Sequence, residues 1–368
     1  MSISPAIRRP LPLPIVGLGA AAAVVAASWA GLTRLGLPLG GPPAGAHGPL
    51  MTLGFLGTVI AAERAVGLGR RWAWAPALLS APAVFLMIFG QEAAAAAVLT
   101  VAGLLLVVVY LAAVSLSGWE AHLFVMGLGT VGWTLAAGGL AVGRAVPVVA
   151  PALVAFLVLT ICGERLELSR MLRPRSPWWR RALLAAALAV TALAGVAFID
   201  LPVAARLSGL ALVVLAGVSA SGDIARRTIR GAGVTRYMAA ALLAGYAWMV
   251  VAGVVWSLGG LSPGTRLYDV AIHTVLIGFV LSMVFAHAPV IVPAVLRVDL
   301  PYHPSWWGAL ALLHVSLLIR VVGALTDSPP VRVWGGILNV AALTLFALLT
   351  VVAAVAARPL DRGETSHV

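Results

Sequence analysis

Twelve apolar stretches, each close to the roughly 20 residues that a helix needs to cross a bilayer, follow one another with little chain between them. They span about 13–36, 47–68, 72–90, 93–117, 120–142, 146–168, 181–199, 202–221, 236–259, 267–296, 304–325 and 331–357. Turn residues separate them, as in Gly40-Gly41-Pro42-Pro43, Asp200-Leu201-Pro202 and Asp327-Ser328-Pro329-Pro330. Only 10% of the 368 residues are charged and 62% are hydrophobic, whereas about a quarter of a soluble domain is charged. Most side chains must therefore face lipid or one another. Backbone amides have no water partner in hydrocarbon, so these runs must be helices. The expected fold is an all-α integral membrane protein with about 12 transmembrane helices, one polytopic domain over 1–368.

Charge sets the orientation. All 24 basic residues are arginine, and the net charge is +12. Arg8, Arg9, Arg64, Arg165, Arg226 and Arg297, with twelve more, fall on the side of the two termini. The opposite side keeps Arg34, Arg144, Arg206, Arg266 and Arg332, with Arg320 just inside a helix. Short Arg-rich loops stay cytoplasmic, so both termini are expected inside a cell (inner) membrane. The arginines lie between apolar runs rather than in an aromatic-rich patch, which excludes nucleic acid and leaves the lipid bilayer as the partner. Cys162, the single cysteine, can form no intrachain disulfide. The first run lacks a small-residue cleavage site and flows into a full span, so no cleavable signal is expected. Tryptophans 72, 74, 178, 179, 306 and 307 lie at segment ends and read as interfacial anchors.

Three strings resemble one another. GFLGTVIAAER ends at Arg64, AFLVLTICGER ends at Arg165 and GFVLSMVFAHA ends at Ala288. Each lies four segments from the next, which suggests three four-helix units over 13–117, 120–221 and 236–357.

Ionisable groups inside spans are costly and mark candidate sites. His47 opens the second segment in HGPLMTLGFLGT, and His273 opens the tenth in DVAIHTVLIGF. Both segments are even-numbered, so the two imidazoles lie at similar depth near the outer surface. Two neutral imidazoles facing across a gap are what a six-coordinate haem iron needs. The plain alternative is two helix-start histidines bonded to loop carbonyls.

Twelve spans in three pseudo-repeats, with these two histidines, resemble the haem–copper oxidase subunit I superfamily. They resemble more closely its divergent relative, the NnrS family of haem- and copper-containing membrane proteins. The resemblance implies a low-spin haem b with His47 and His273 as axial ligands. It implies Arg320 in LLIRVVG, with Arg266, near the propionates. It further implies electron transfer, with quinol or another redox partner as donor, or the handling of nitric oxide and metal stress, with copper as a second candidate metal.

Departures from that family exclude an ordinary oxygen or nitric oxide reductase. The sixth segment carries Cys162, Glu164 and Arg165 but no histidine, the seventh has none, and the tenth lacks a His-x-His pair. Aligning Gly54-Phe55 on Gly278-Phe279 also leaves His47 two positions from His273, an offset that a break near Gly48-Pro49 would absorb.

His287 follows His273 by about 21 Å along a helix on nearly the same face, and the repeats set Glu63, Glu164 and His287 at equivalent points. With His314 at similar depth, this suggests a second, inner metal or proton-active site, for which Glu63, Glu164 and His287 are the catalytic candidates. His122 and His303 lie nearer the inner surface, and His367 lies in the tail. Prolines 289 and 293 predict a kink or opening beside His287. The simpler reading has Glu63 and Glu164 paired with Arg165 and Arg64 as structural ion pairs. Two other functional classes fit the same sequence: a proton- or cation-coupled secondary transporter using the inner carboxylates, and an assembly factor without turnover.

Overall fold

The structure, a computed structural model, describes residues 12–169, 176–296 and 298–357. Among these residues every regular element is helical. In chain order the long helices are α1 (Leu13–Arg34), α2 (Ala44–Leu68), α3 (Trp72–Ile88), α4 (Glu92–Ser117), α5 (Ala121–Ala141) and α6 (Val146–Ser169). They continue as α7 (Pro177–Val196), α8 (Leu201–Gly222), α9 (Gly233–Ser257), α10 (Arg266–Leu296), α11 (Trp306–Leu325) and α12 (Pro329–Ala356). A single helical turn, Ala225–Thr228, joins α8 to α9. Eleven of these are long and apolar enough to cross a bilayer, and α3 is shorter. The chain is thus all-helical with the composition and helix lengths of a multi-pass membrane protein.

Local chemistry explains the boundaries. Asp200 caps α8 by accepting a 3.0 Å bond from the Val203 N–H, and Pro202 sits in the first turn, where its missing N–H costs nothing. α2 ends at Gly69, which adopts a left-handed φ of 68°. α10 stays helical through Pro289 and Pro293 to Leu296.

In lipid, helices associate through close packing of small residues rather than through a hydrophobic force. Where α8 crosses α9, a Cβ added to Gly209 would lie 2.5 Å from the Ser257 backbone nitrogen. Where α5 meets α6, one added to Gly132 would lie 2.8 Å from the Ala152 carbonyl. Neither crossing tolerates a side chain. The interior of the bundle is α6, in which 83% of the most apolar stretch is buried, flanked by α10 at 67% and α2 at 56%. α12, at 17%, is left to face the surroundings. Trp74 and Trp306 are buried, so these two of the expected anchors belong to the packing, whereas Trp72 and Trp178 are exposed.

The two helices that carry His47 and His273 share an irregularity. Each widens into a π-helical stretch just beyond its histidine, Leu50–Leu56 in α2 and Thr274–Leu281 in α10. Such stretches occur mostly where a helix is reshaped for a site. Thr52 and Thr274 donate their hydroxyls to the carbonyls of Gly48 and Val270 at 2.8 and 2.7 Å, satisfying oxygens near the start of each wide turn. The chain passes Gly48-Pro49 without a break, changing from a tight 3-10 turn at Ala44–Ala46 into this wider winding.

Candidate functional site

A cavity of about 320 Å³ lies between α1, α2, α10, α11 and α12 at the end of the bundle where α2 and α10 begin. Its size is at the lower end of ordinary small-molecule sites. His47 and His273 both line it. Their ring centres are 6.3 Å apart and their planes differ by 26°. The tenth and second segments, more than two hundred residues apart in sequence, therefore bring their histidines to one place.

Each imidazole is fixed through the same nitrogen. His47 Nδ1 lies 2.7 Å from the Ala27 carbonyl of α1, and His273 Nδ1 lies 2.8 Å from the Asp269 carbonyl one turn earlier in α10. A carbonyl accepts only, so Nδ1 carries the hydrogen on both rings and Nε2 is left as a bare lone pair. That is how a ligating histidine is usually prepared for a metal. Two metal–nitrogen bonds of about 2 Å, with the half-rings behind them, span about 6 Å, which the observed separation matches. The residues present therefore fit a metal held between two imidazoles.

Gly31 makes room for this arrangement. A Cβ there would lie 2.7 Å from His47 Nδ1 and 2.8 Å from Cε1, so α1 approaches the ring as only a glycine allows.

The cavity is polar at one end and apolar at the other. Arg34, Asp269, Arg320 and Arg332 line the polar part, and Met51, Leu56, Ile277, Leu281, Val340 and Leu343 the apolar part. Arg320 is bound by Asp269 through two bonds, Nε to Oδ2 at 2.8 Å and Nη2 to Oδ1 at 2.7 Å. Gly336 lets α12 close over it, since a Cβ there would be 3.1 Å from Nη1. Arg332 has a buried Nε without a hydrogen-bond partner among the described residues. Arg266 does not line the cavity: it pairs with Asp327 at 3.3 Å on the exposed surface. Arg266 opens α10 just after the 264–265 loop and points away from the bundle, while Arg332 from α12 occupies the lining. Sequence reasoning set Arg332 and Arg34 aside as loop arginines, and overlooked Asp269. The available signal was an acidic residue in an apolar span, one helical turn before a histidine.

The inner residues divide into two adjoining networks. Arg64 contacts Glu63, lies 3.9 Å from Glu164 and 3.5 Å from Glu167. Arg165 instead forms a two-bond pair with Asp223, at 2.9 and 2.7 Å, and approaches His287 Nε2 at 3.5 Å. The expected exchange of Glu63 and Glu164 with Arg165 and Arg64 is thus half replaced. Successive residues on a helix point about 100° apart, so Glu164 faces α2 while Arg165 faces the end of α8. Asp223 also accepts from the Tyr246 hydroxyl at 3.0 Å and the Ala225 N–H at 2.9 Å. Burial pushes its carboxyl up, but the Arg165 guanidinium and these donors outweigh it and hold Asp223 below the usual carboxylate range.

His287 meets Arg165, and its Nδ1 bonds the Met283 carbonyl at 2.7 Å. His314 accepts from the Trp248 indole at 3.1 Å and approaches Ser282 at 3.4 Å. These two histidines are engaged in separate hydrogen-bond sets. Among the described residues, no group of three or more His, Cys, Asp or Glu is arranged to hold a metal ion. His303 closes a turn with Ser305 at 2.8 Å, and His122 lies 3.9 Å from Glu120. His367 lies outside the described residues.

Fold and cavity together define a multi-pass α-helical protein with a histidine-lined chamber near one end of its bundle. A family model described as "Domain of unknown function (DUF8744)" matches residues 13–355, and the chain belongs to that family. No curated protein matches the chain.

Proposed function

We propose that this is a membrane haem protein of the electron-transfer type, with haem b bound between His47 and His273. The observation that carries the reading is the pair of imidazoles 6.3 Å apart in one cavity, each with Nδ1 on a backbone carbonyl. A haem held by these two residues would supply one-electron transfer. His47 and His273 would be the ligands, already turned so that Nε2 is the free lone pair. Arg332 and Arg34 would receive anionic groups at the polar end, with Arg320 held beside them by Asp269. Met51, Leu56, Ile277 and Leu281 would exclude water from the apolar end.

The arrangement in the bilayer belongs to the same proposal. Counting α3 as a crossing gives twelve spans, and the arginine distribution then sets both termini on the cytoplasmic side of the inner membrane. The three most buried helices, α2, α6 and α10, recur at intervals of four, as three four-helix units require. The resemblance to the NnrS family and to the oxidase core adds quinol or another redox protein as donor.

The test is a visible spectrum of the detergent-purified protein. Reduction with dithionite should produce sharp α and Soret bands, and His47→Ala or His273→Ala should abolish them. A colourless protein reconstituted with haem b to no effect would overturn the reading. It would favour a proton- or cation-coupled transporter, for which the three carboxylates around Arg64 are the supporting observation.

A further inference from the structure

The two imidazoles are not equivalent. His47 Nδ1 meets a neutral backbone carbonyl from another helix. His273 Nδ1 meets the Asp269 carbonyl and, at 3.3 Å, the Asp269 carboxylate oxygen Oδ1 as well. That same Oδ1 accepts from Arg320 Nη2 at 2.7 Å, while Oδ2 accepts from Arg320 Nε at 2.8 Å. Arg320, Asp269 and His273 thus form a chain of three groups joined through one carboxylate, with the arginine 8% exposed.

A carboxylate on the remote nitrogen of an imidazole makes the near nitrogen a stronger donor. It also brings a negative charge close to whatever His273 holds, at a depth where water screens little. Both effects favour the more positive of two metal oxidation states. The guanidinium opposes them, and its two bonds also stop the carboxylate from rotating off the ring. Among the described residues His47 has no such partner.

We propose that Asp269 is a positioning residue for His273 that, with Arg320 as its counter-charge, sets the midpoint potential of the bound metal. The proposal rests on the haem reading above and specifies how the site is tuned. Asp269→Asn keeps the backbone carbonyl on His273, removes the charge and leaves one accepting oxygen where Arg320 had two.

The experiment is a potentiometric titration of the purified full-length protein, followed at the α band, with haem content measured for each variant. Asp269→Asn should raise the potential, with at least a tenfold rise in the reduced-to-oxidised ratio at fixed ambient potential, about 59 mV for a one-electron couple. Arg320→Gln should move it the opposite way, because the carboxylate then acts unopposed. A role in folding alone would lower haem content in both variants without shifts of opposite sign. If Asp269→Asn does not accumulate, Arg320→Gln decides alone: an unchanged or raised potential overturns the proposal. Wild-type protein that binds no haem overturns the underlying reading and this inference with it. Haem-replete variants with unchanged potentials overturn the inference only.

Discussion

In the candidate site α1 lies close against His47, which makes Gly31 a sensitive probe. An alanine Cβ would sit 2.7 Å from Nδ1 and 2.8 Å from Cε1 of the ring. Ordinary contacts begin near 3.4 Å, so the ring must retreat by about 0.7 Å or α1 must move. A site of this kind holds its geometry only within about 0.5 Å, and moving the ring also lengthens its 2.7 Å bond to Ala27. Overpacking costs about 1–3 kcal/mol. If that cost falls on the ligand position, haem affinity drops about five- to 150-fold, at 1.4 kcal/mol for each factor of ten. Gly17→Ala is the control, because it lies in the same helix with nothing within 4 Å of its Cβ. Both substitutions gain the same helix propensity, about 1 kcal/mol over glycine. Haem b titrations into detergent-solubilised apoprotein, read at the Soret band, compare the two. Gly31→Ala binding as tightly as Gly17→Ala would refute the reasoning that α1 presses on a ligand.

Three further outcomes follow from the rest of the bundle. His287→Ala should leave the haem spectrum intact, since His287 joins the Arg165 network and not the cavity; bleaching of the α band would show otherwise. Asp223→Asn should destabilise the protein by about 3–5 kcal/mol, because it strands the Arg165 guanidinium in the bundle, measured as a lowered thermal midpoint in detergent. Since Asp223 is held below its usual range, its stabilisation is complete above about pH 4 and lost as pH falls through the lower folded value. Acidification from pH 5 to 3 should therefore lower the wild-type midpoint more than that of Asp223→Asn, and equal losses would contradict this. Gly209→Val should separate α8 from α9, where even a single Cβ meets the Gly253 and Ser257 backbones. A cost of about 1–3 kcal/mol is expected, and a midpoint equal to wild type would count against the crossing.

Hydrophobic run length is a local property, so the helices could be read from the chain alone. Among the described residues the twelve expected segments meet eleven helices long enough to cross a bilayer and the shorter α3, with ends displaced by a few residues. α3 begins at Trp72 as expected but ends at Ile88, just before Gly90 with its left-handed φ of 77°, and so is shorter than the others. The positions of His47 and His273 were likewise legible, because an imidazole in an apolar helix is rare and costly wherever it occurs. What the chain could not disclose is which distant charges meet. Arg165 chose Asp223 over Glu63, and Arg332 lines the cavity while Arg266 turns to the surface, because helix rotation and tilt decide such pairs. Those angles arise from glycine contacts such as Gly209 on Gly253 and Gly335 on Arg320. Composition determined the solvent and the secondary structure; the packing of helix against helix alone brought the two imidazoles, and the carboxylate behind one of them, to a common cavity.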